Sequence, residues 1–344
     1  MTAVAADPEL TSLEAALDPA TAERHFGRKL PRLAGRDGFV RVRNVRLARY
    51  KPARRCVVEY DVDVERPGRP PERVTLLGKI RRRRSGRSSY RLLDAFWNMG
   101  FNADAEDAIA VPEPIAVVPE LRVWLQRKVS GRVATDLLAA PDAEVLARRI
   151  AEAAHKVHRA GVPAPHGRRH TMADELRILH ECLPHVALIE GHSRERIERL
   201  LDACDRLGSA SPNSPPRWIH RDFYGDQVIV DGDRLYLIDF DQYCEGDPAV
   251  DVGNFLGCTA EYSLRTFGDP DALEHVGRAL EDAYLEQSVG VRREAIRAYM
   301  LLTLVRHVYI CTRIPGRHRF TADLLSLCEE RFDLVGGGRR RPRR

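Results

Sequence analysis

The chain has 344 residues, 44% apolar and 31% charged, an ordinary globular composition that argues against a disordered protein; no apolar run approaches the ~20 residues a bilayer crossing needs. The formal net charge of +5 is an end effect: Arg339, Arg340, Arg341, Arg343 and Arg344 follow Gly336-Gly337-Gly338, and without them Lys and Arg match the 50 Asp and Glu in number. The opening MTAVAADPELTSLEAALDP lacks the basic start and apolar core of a secretion signal, so the expected compartment is the cytoplasm. There the scattered Cys56, Cys182, Cys204, Cys244, Cys258, Cys311 and Cys328 are expected to stay reduced.

Residues 1–39 show helical periodicity around Leu13-Ala16-Leu17 and read as an N-terminal helical extension. From Val40 the pattern becomes β-rich: VRNVRLARY and CVVEYDVDV flank the turn Lys51-Pro52-Ala53-Arg54-Arg55, and ERPGRPPER leads to the apolar VTLLGKI. A helix is predicted over Ser88 to Met99, then strands in IAVPEPIAVV and LRVWLQRKV. A strand-rich unit over 40–126 is therefore expected to meet a helix-rich unit over 127–335, followed by a disordered basic tail, 336–344. In the second unit DAEVLARRIAEAAHKVHRA, at 142–160, is amphipathic and stops at Gly161 and Pro163; further helices are predicted over about 171–183, 193–207 and 272–335. His155 and His158 read as structural, His166 and His170 as solvated, and Tyr299, His307, Tyr309 and Trp218 as core in preference to substrate-pocket residues.

The densest pattern is WIHRDFYGDQVIVDGDRLYLIDFDQY. His220-Arg221-Asp222 is followed by Gln227, then by two short apolar strands around the Asp231-Gly232 turn, then by Ile238-Asp239-Phe240. A hairpin there returns Asp239 beside Gln227, offering a carboxylate and an amide oxygen to one metal, with Asp222 facing the same space. Phosphoryl transfer needs this chemistry: a carboxylate to orient the attacking hydroxyl and oxygen ligands for magnesium. Tyr243, Glu245 and Glu261 follow, where carboxylates suit either a cationic acceptor or solvent.

In order and spacing IHRDFYGDQVIV, LYLIDFDQY and GDPAVDVGNFLG resemble the aminoglycoside phosphotransferase family and its choline, homoserine and sugar kinase relatives, over roughly residues 40 to 315. The resemblance implies an α+β, two-lobed protein-kinase-like fold, with an N-terminal antiparallel sheet lobe carrying one helix and a larger, mostly helical C-terminal lobe. It implies an ATP- and Mg2+-dependent phosphotransferase acting on a hydroxyl of a small molecule of aminoglycoside, sugar or amino-alcohol type. Asp222 takes the catalytic position, Asp239 and Gln227 the metal positions, and His220 and Asp251 supporting ones. Lys79 matches the strand lysine on the nucleotide phosphates, Arg55 lies in the phosphate-covering turn, and Gln126 to Lys128 form the linker whose backbone meets adenine.

The chain departs from that pattern at three places. Gln227 replaces an asparagine, Asp94 is the sole acid in the helix where a glutamate partner for Lys79 is expected, and Asp241 stands where protein kinases have glycine. Tyr224 and the lack of an Ala-Pro-Glu segment point away from a Ser/Thr protein kinase. The first two departures support an alternative, a nucleotide-binding pseudokinase acting as scaffold or regulator. A third reading, nucleic-acid binding, rests on the tail and Arg81 to Arg84 alone; neither a membrane partner nor a particular oligomeric state is implied.

Overall fold

The computed structural model describes residues 7–27, 29–82, 86–189 and 194–334. The expected basic tail, the glycines before it, and Arg83 and Arg84 lie outside those residues. In chain order the first elements are helices α1 (Leu13–Leu17), α2 (Pro19–Phe26) and α3 (Pro31–Ala34), strands β1 (Phe39–Lys51), β2 (Arg55–Glu65) and β3 (Glu72–Arg81), helix α4 (Arg87–Asn98), and strands β4 (Ile109–Ala110), β5 (Pro114–Val118) and β6 (Val123–Arg127). Then come β7 (Arg132–Val133), α5 (Ala143–Arg159), β8 (Arg169–His170), α6 (Met172–Cys182), α7 (Pro184–Ile189), α8 (Arg194–Ala210), β9 (Arg217–Ile219), the hairpin strands β10 (Val228–Asp231) and β11 (Arg234–Leu237), β12 (Cys244–Gly246), α9 (Ala249–Phe267), α10 (Glu274–Gln287), α11 (Arg293–Arg313) and α12 (Thr321–Arg331).

Two compact units result, Met1–Gly131 with Ile229–Asp241, and Arg132–Val228 with Gln242–Arg344. Most of the hairpin, with Asp239, thus falls in the first unit beside the strands of 40–126.

The first unit is built on a sheet of order β1-β2-β3-β6-β5, antiparallel throughout. Strict alternation sends Cys56, Val58, Tyr60, Val62 and Val64 of β2 and Val74, Leu76 and Ile80 of β3 into one core. The residues before β1 fill that core: Leu10, Leu13, Ala16 and Phe26 are buried in it, Phe26 meets Tyr60 edge-on at 4.9 Å, and the Tyr60 hydroxyl donates to the Ala16 carbonyl at 2.9 Å. The extension is therefore part of this unit, and truncating Phe26 to alanine would cost it ~3–5 kcal/mol. The alternate positions Arg55, Lys79 and Arg81 point to the other face.

Gly232 takes φ +57 in the turn between β10 and β11, and β11 pairs in parallel with β4, Leu235 opposite Ile109. The chain leaving β11 is fixed by Phe240, whose buried ring packs on Phe96 of α4 at 4.6 Å.

In the second unit α9 packs on α11 and α5 on α10. Gly253 and Gly257 let α9 and α11 approach closely: a Cβ on Gly253 would stand 2.6 Å from the Ile296 carbonyl oxygen. Strands β8, β12 and β9 form a small three-stranded sheet that carries the chain into the His220 loop. No helix among the described residues is long and apolar enough to cross a membrane.

Candidate active site

In the first unit, Lys79 on β3 and Asp239 beyond β11 line one cavity with Trp124, Gln126, Leu92, Leu93 and Phe240. The Lys79 ammonium lies 5.0 Å from the centre of the Trp124 ring, its register partner on β6. Burial pulls its pKa down to about 8; attraction to Asp239 opposes the shift, while Arg81 and Arg55 add to it. Asp239 holds φ +61, a left-handed backbone that costs a non-glycine residue on the order of 1–3 kcal/mol and persists where the surroundings over-determine it. Phe240 against Phe96 supplies that anchoring.

The expected helix partner of Lys79 is otherwise engaged. Asp94 is bound to Arg32 of α3, which also lies over the Trp97 ring at 5.7 Å. Gln126 is buried beside Lys79, but Lys128 is spent elsewhere: its N–H donates to the Thr75 carbonyl at 2.9 Å and its ammonium to Glu59 at 2.8 Å. The turn Lys51 to Arg55 needs no glycine, because Ala53 takes φ +56 while its N–H donates to Asp7 at 2.8 Å, with the Tyr50 hydroxyl on the same carboxylate oxygen at 2.9 Å.

In the second unit the His220 loop is held by its backbone. Asp251, fully buried on α9, accepts the N–H of His220 at 2.7 Å and of Arg221 at 2.6 Å. Arg221, between His220 and Asp222, also has a left-handed backbone at φ +66, and its guanidinium donates to Gln242 at 2.9 Å. Asp222 is half-buried on this loop. The next residue, Phe223, gives its carbonyl to the Asn254 amide at 2.9 Å. Gln227 is buried at the end of a 3-10 turn from Gly225, where a Cβ would stand 2.4 Å from Thr135 Oγ1.

Several supporting residues escaped the sequence reading. His158 of α5 joins Asp251 at 2.9 Å and the Tyr284 hydroxyl at 2.7 Å. Its place on the buried stripe of Ala151, Ala154 and Val157 was the available signal. Arg306, an arginine inside the apolar run of α11, donates to Asn254 at 2.6 Å and to Glu175 at 2.8 Å. Glu175 in turn meets His170 at 2.7 Å, so His170 is buried and paired, not solvated. The His166 side chain lies outside what is described. Tyr243 is buried with its hydroxyl on the Val162 carbonyl, and Glu261 is buried against Arg265 and Arg317, so neither is an open group for a cationic acceptor.

By donor chemistry each unit carries groups suited to magnesium and a nucleotide: in the first, Asp239 offers carboxylate oxygens and Lys79 is a cation on the strand face shared with Arg55 and Arg81; in the second, Gln227 offers an amide oxygen. Among the described residues no three His, Cys, Asp or Glu gather as a metal cluster; magnesium commonly binds through one or two carboxylates plus substrate phosphates rather than in an all-protein cage.

An antiparallel sheet with helix α4 between β3 and β5 in the chain, a strand lysine beside an aspartate after a hairpin, and a His-x-Asp loop braced through its backbone define the kinase-like phosphotransferase class. The phosphotransferase enzyme family model matches residues 79–295, and the chain belongs to that family. Its fold is similar to that of a thermostable mutant of aminoglycoside phosphotransferase APH(4)-Ia (TM-score 0.57, 17% identity, covering 87% of this chain and 97% of that one). It is similar also to spectinomycin phosphotransferase APH(9)-Ia, solved with ADP and spectinomycin (TM-score 0.55, 10% identity, 84% and 89% covered). A choline/ethanolamine kinase family protein from Mesorhizobium loti shares the fold too (TM-score 0.54, 15% identity, 90% and 93% covered). No curated protein matches the chain in sequence.

Proposed function

We propose that this phosphotransferase uses ATP and magnesium to phosphorylate a hydroxyl of a small molecule of aminoglycoside, sugar or amino-alcohol type. The observation that carries this reading is the juxtaposition of Lys79 and Asp239, distant in sequence, on one cavity of the first unit. ADP in the spectinomycin phosphotransferase structure supports the choice of an adenine nucleotide.

In the proposed reaction Asp222 accepts the hydrogen bond of the acceptor hydroxyl and takes its proton as the oxygen attacks the γ-phosphorus. The bond to the β–γ bridging oxygen breaks, and ADP leaves. Lys79 neutralises phosphate charge, while Gln227 and Asp239 offer oxygens to magnesium. Magnesium, when bound, would supply the main charge neutralisation on the phosphates. Asp251 and His158 hold the loop so that Asp222 need not reorganise during the reaction.

The test is acceptor-dependent ADP formation across a panel of aminoglycosides, sugars and amino alcohols, with two variants. Asp222→Asn is expected to lower turnover by at least ~10²-fold while keeping nucleotide affinity, the scale of a lost general base. Asp239→Ala is expected to abolish turnover. Full activity in either variant refutes the assignment.

A further inference from the structure

Arg55 opens β2 and Arg81 closes β3, and the two are direct register partners. Lys79 lies two residues before Arg81, so all three cations project from one face of the sheet. That face meets the end of the hairpin within the same unit. Arg55 Nη1 lies 4.0 Å from an Asp239 oxygen and 3.8 Å from an Asp241 oxygen; Arg81 Nη2 lies 3.9 Å from Asp239 and contacts Asp241 directly. All four side chains are half-buried.

Among the described residues two carboxylates thus face three cations, with Lys51 close by. Burial depresses the pKa of Lys79, where Asp239 opposes the shift and Arg81 and Arg55 add to it, and that of Lys51, where Arg55, Arg49 and Arg54 add to it against Asp239. A half-buried surplus of positive charge is a standing demand for an anion. The adjoining turn offers no glycine-rich backbone cradle, its Ala53 N–H being already bound to Asp7. Guanidinium side chains supply instead the planar forks that match phosphate oxygens in pairs.

We propose that Arg81, together with Arg55, is a two-arginine clamp for the terminal phosphates of the nucleotide, held ready by Asp241. This rests on the nucleotide reading given above and adds to it Arg81 as a positioning residue and Asp241 as its holder. A triphosphate carries more charge than the two carboxylates and competes for both guanidiniums. The aspartate after Phe240 then has a physical reason to stand in this chain: it contacts Arg81 directly in the free protein and holds the guanidinium at this face.

The experiment is calorimetric titration of the full chain with adenosine, AMP, ADP and ATP, with magnesium present. In the native protein affinity is expected to rise with each added phosphate. In Arg81→Ala the gain from the terminal phosphates is expected to fall on the order of 10- to 100-fold, as for lost charge-assisted hydrogen bonds, while adenosine affinity stays within about twofold. Adenosine binding also reports that the variant is folded; if Arg81→Ala does not fold, Arg81→Gln is expected to show the same phosphate-dependent loss. A variant that binds ATP as the native protein does overturns the clamp alone. A native protein that binds none of the four overturns the clamp together with the reading beneath it.

Discussion

His158 and Asp251 meet with Nε2 2.9 Å from Oδ2, both side chains buried, though 93 positions separate them in sequence. The other ring nitrogen, Nδ1, lies 2.7 Å from the Tyr284 hydroxyl, so the imidazole ties Asp251 to α10. The same carboxylate takes the N–H groups of His220 and Arg221, so one buried charge satisfied by three donors sets the path of the chain into Asp222. His158→Gln is expected to cost about 1–3 kcal/mol in urea denaturation and to lower kcat more than it raises KM. Asp251→Asn keeps the volume but loses the charge, and its turnover is expected to drop by on the order of 10²-fold, because a displaced loop misplaces the reacting group. Unchanged kcat in both variants would show that the brace does not act on the reaction.

Lys79 provides a pH signature. Its ordinary pKa of 10.5 falls to about 8 in the folded protein. Between those values the unfolded chain binds more protons, so this group makes stability rise with pH through that window and contributes a penalty below it. A phosphate chain reverses the preference by favouring the ammonium. Nucleotide binding near pH 8.5 is therefore expected to take up protons, seen as a binding enthalpy that varies with the ionisation enthalpy of the buffer. Lys79→Met should remove the uptake.

Glu175 shows the opposite sign. Burial would raise its pKa, but the Arg306 guanidinium and the His170 hydrogen bond outweigh it and hold the carboxyl at about 2. Its contribution is complete above the ordinary 4.5 and is lost as pH falls from there through about 2. The native protein is expected to lose stability over this acid range. Glu175→Gln, which leaves Arg306 short of its counter-charge, should be less stable at pH 7 by about 3–5 kcal/mol and show a flatter acid limb. Urea midpoints taken across pH check both.

Local patterns made most of the fold legible. Alternation over Cys56 to Val64, the Lys51 to Arg55 turn and the Asp231-Gly232 turn each specify geometry within a few residues, and the structure has strands and turns there. The kinase-like class followed from ordered motifs. Partners distant along the chain were not legible. Nothing near Asp94 announces Arg32, and nothing near Asp251 announces His158. Strands of two or three residues such as Arg169–His170 and Cys244–Gly246 are too short to show a period. The packing of residues 10–26 on β2 escaped for a related reason: amphipathic periodicity says that a face is covered, not by what.

The first unit takes residues from both sides of the second unit's opening segment, passing out after Gly131 and returning over Ile229–Asp241. On the ribosome this imposes a delay. When Gly131 has emerged, Ile109 still lacks Leu235 as its strand neighbour and Phe96 lacks Phe240. The roughly 110 residues still to come take on the order of 5 to 20 s at about 5–20 residues per second. For that interval an incomplete apolar surface is open to chaperones or to neighbouring nascent chains. A gene truncated after codon 131 would make the state permanent.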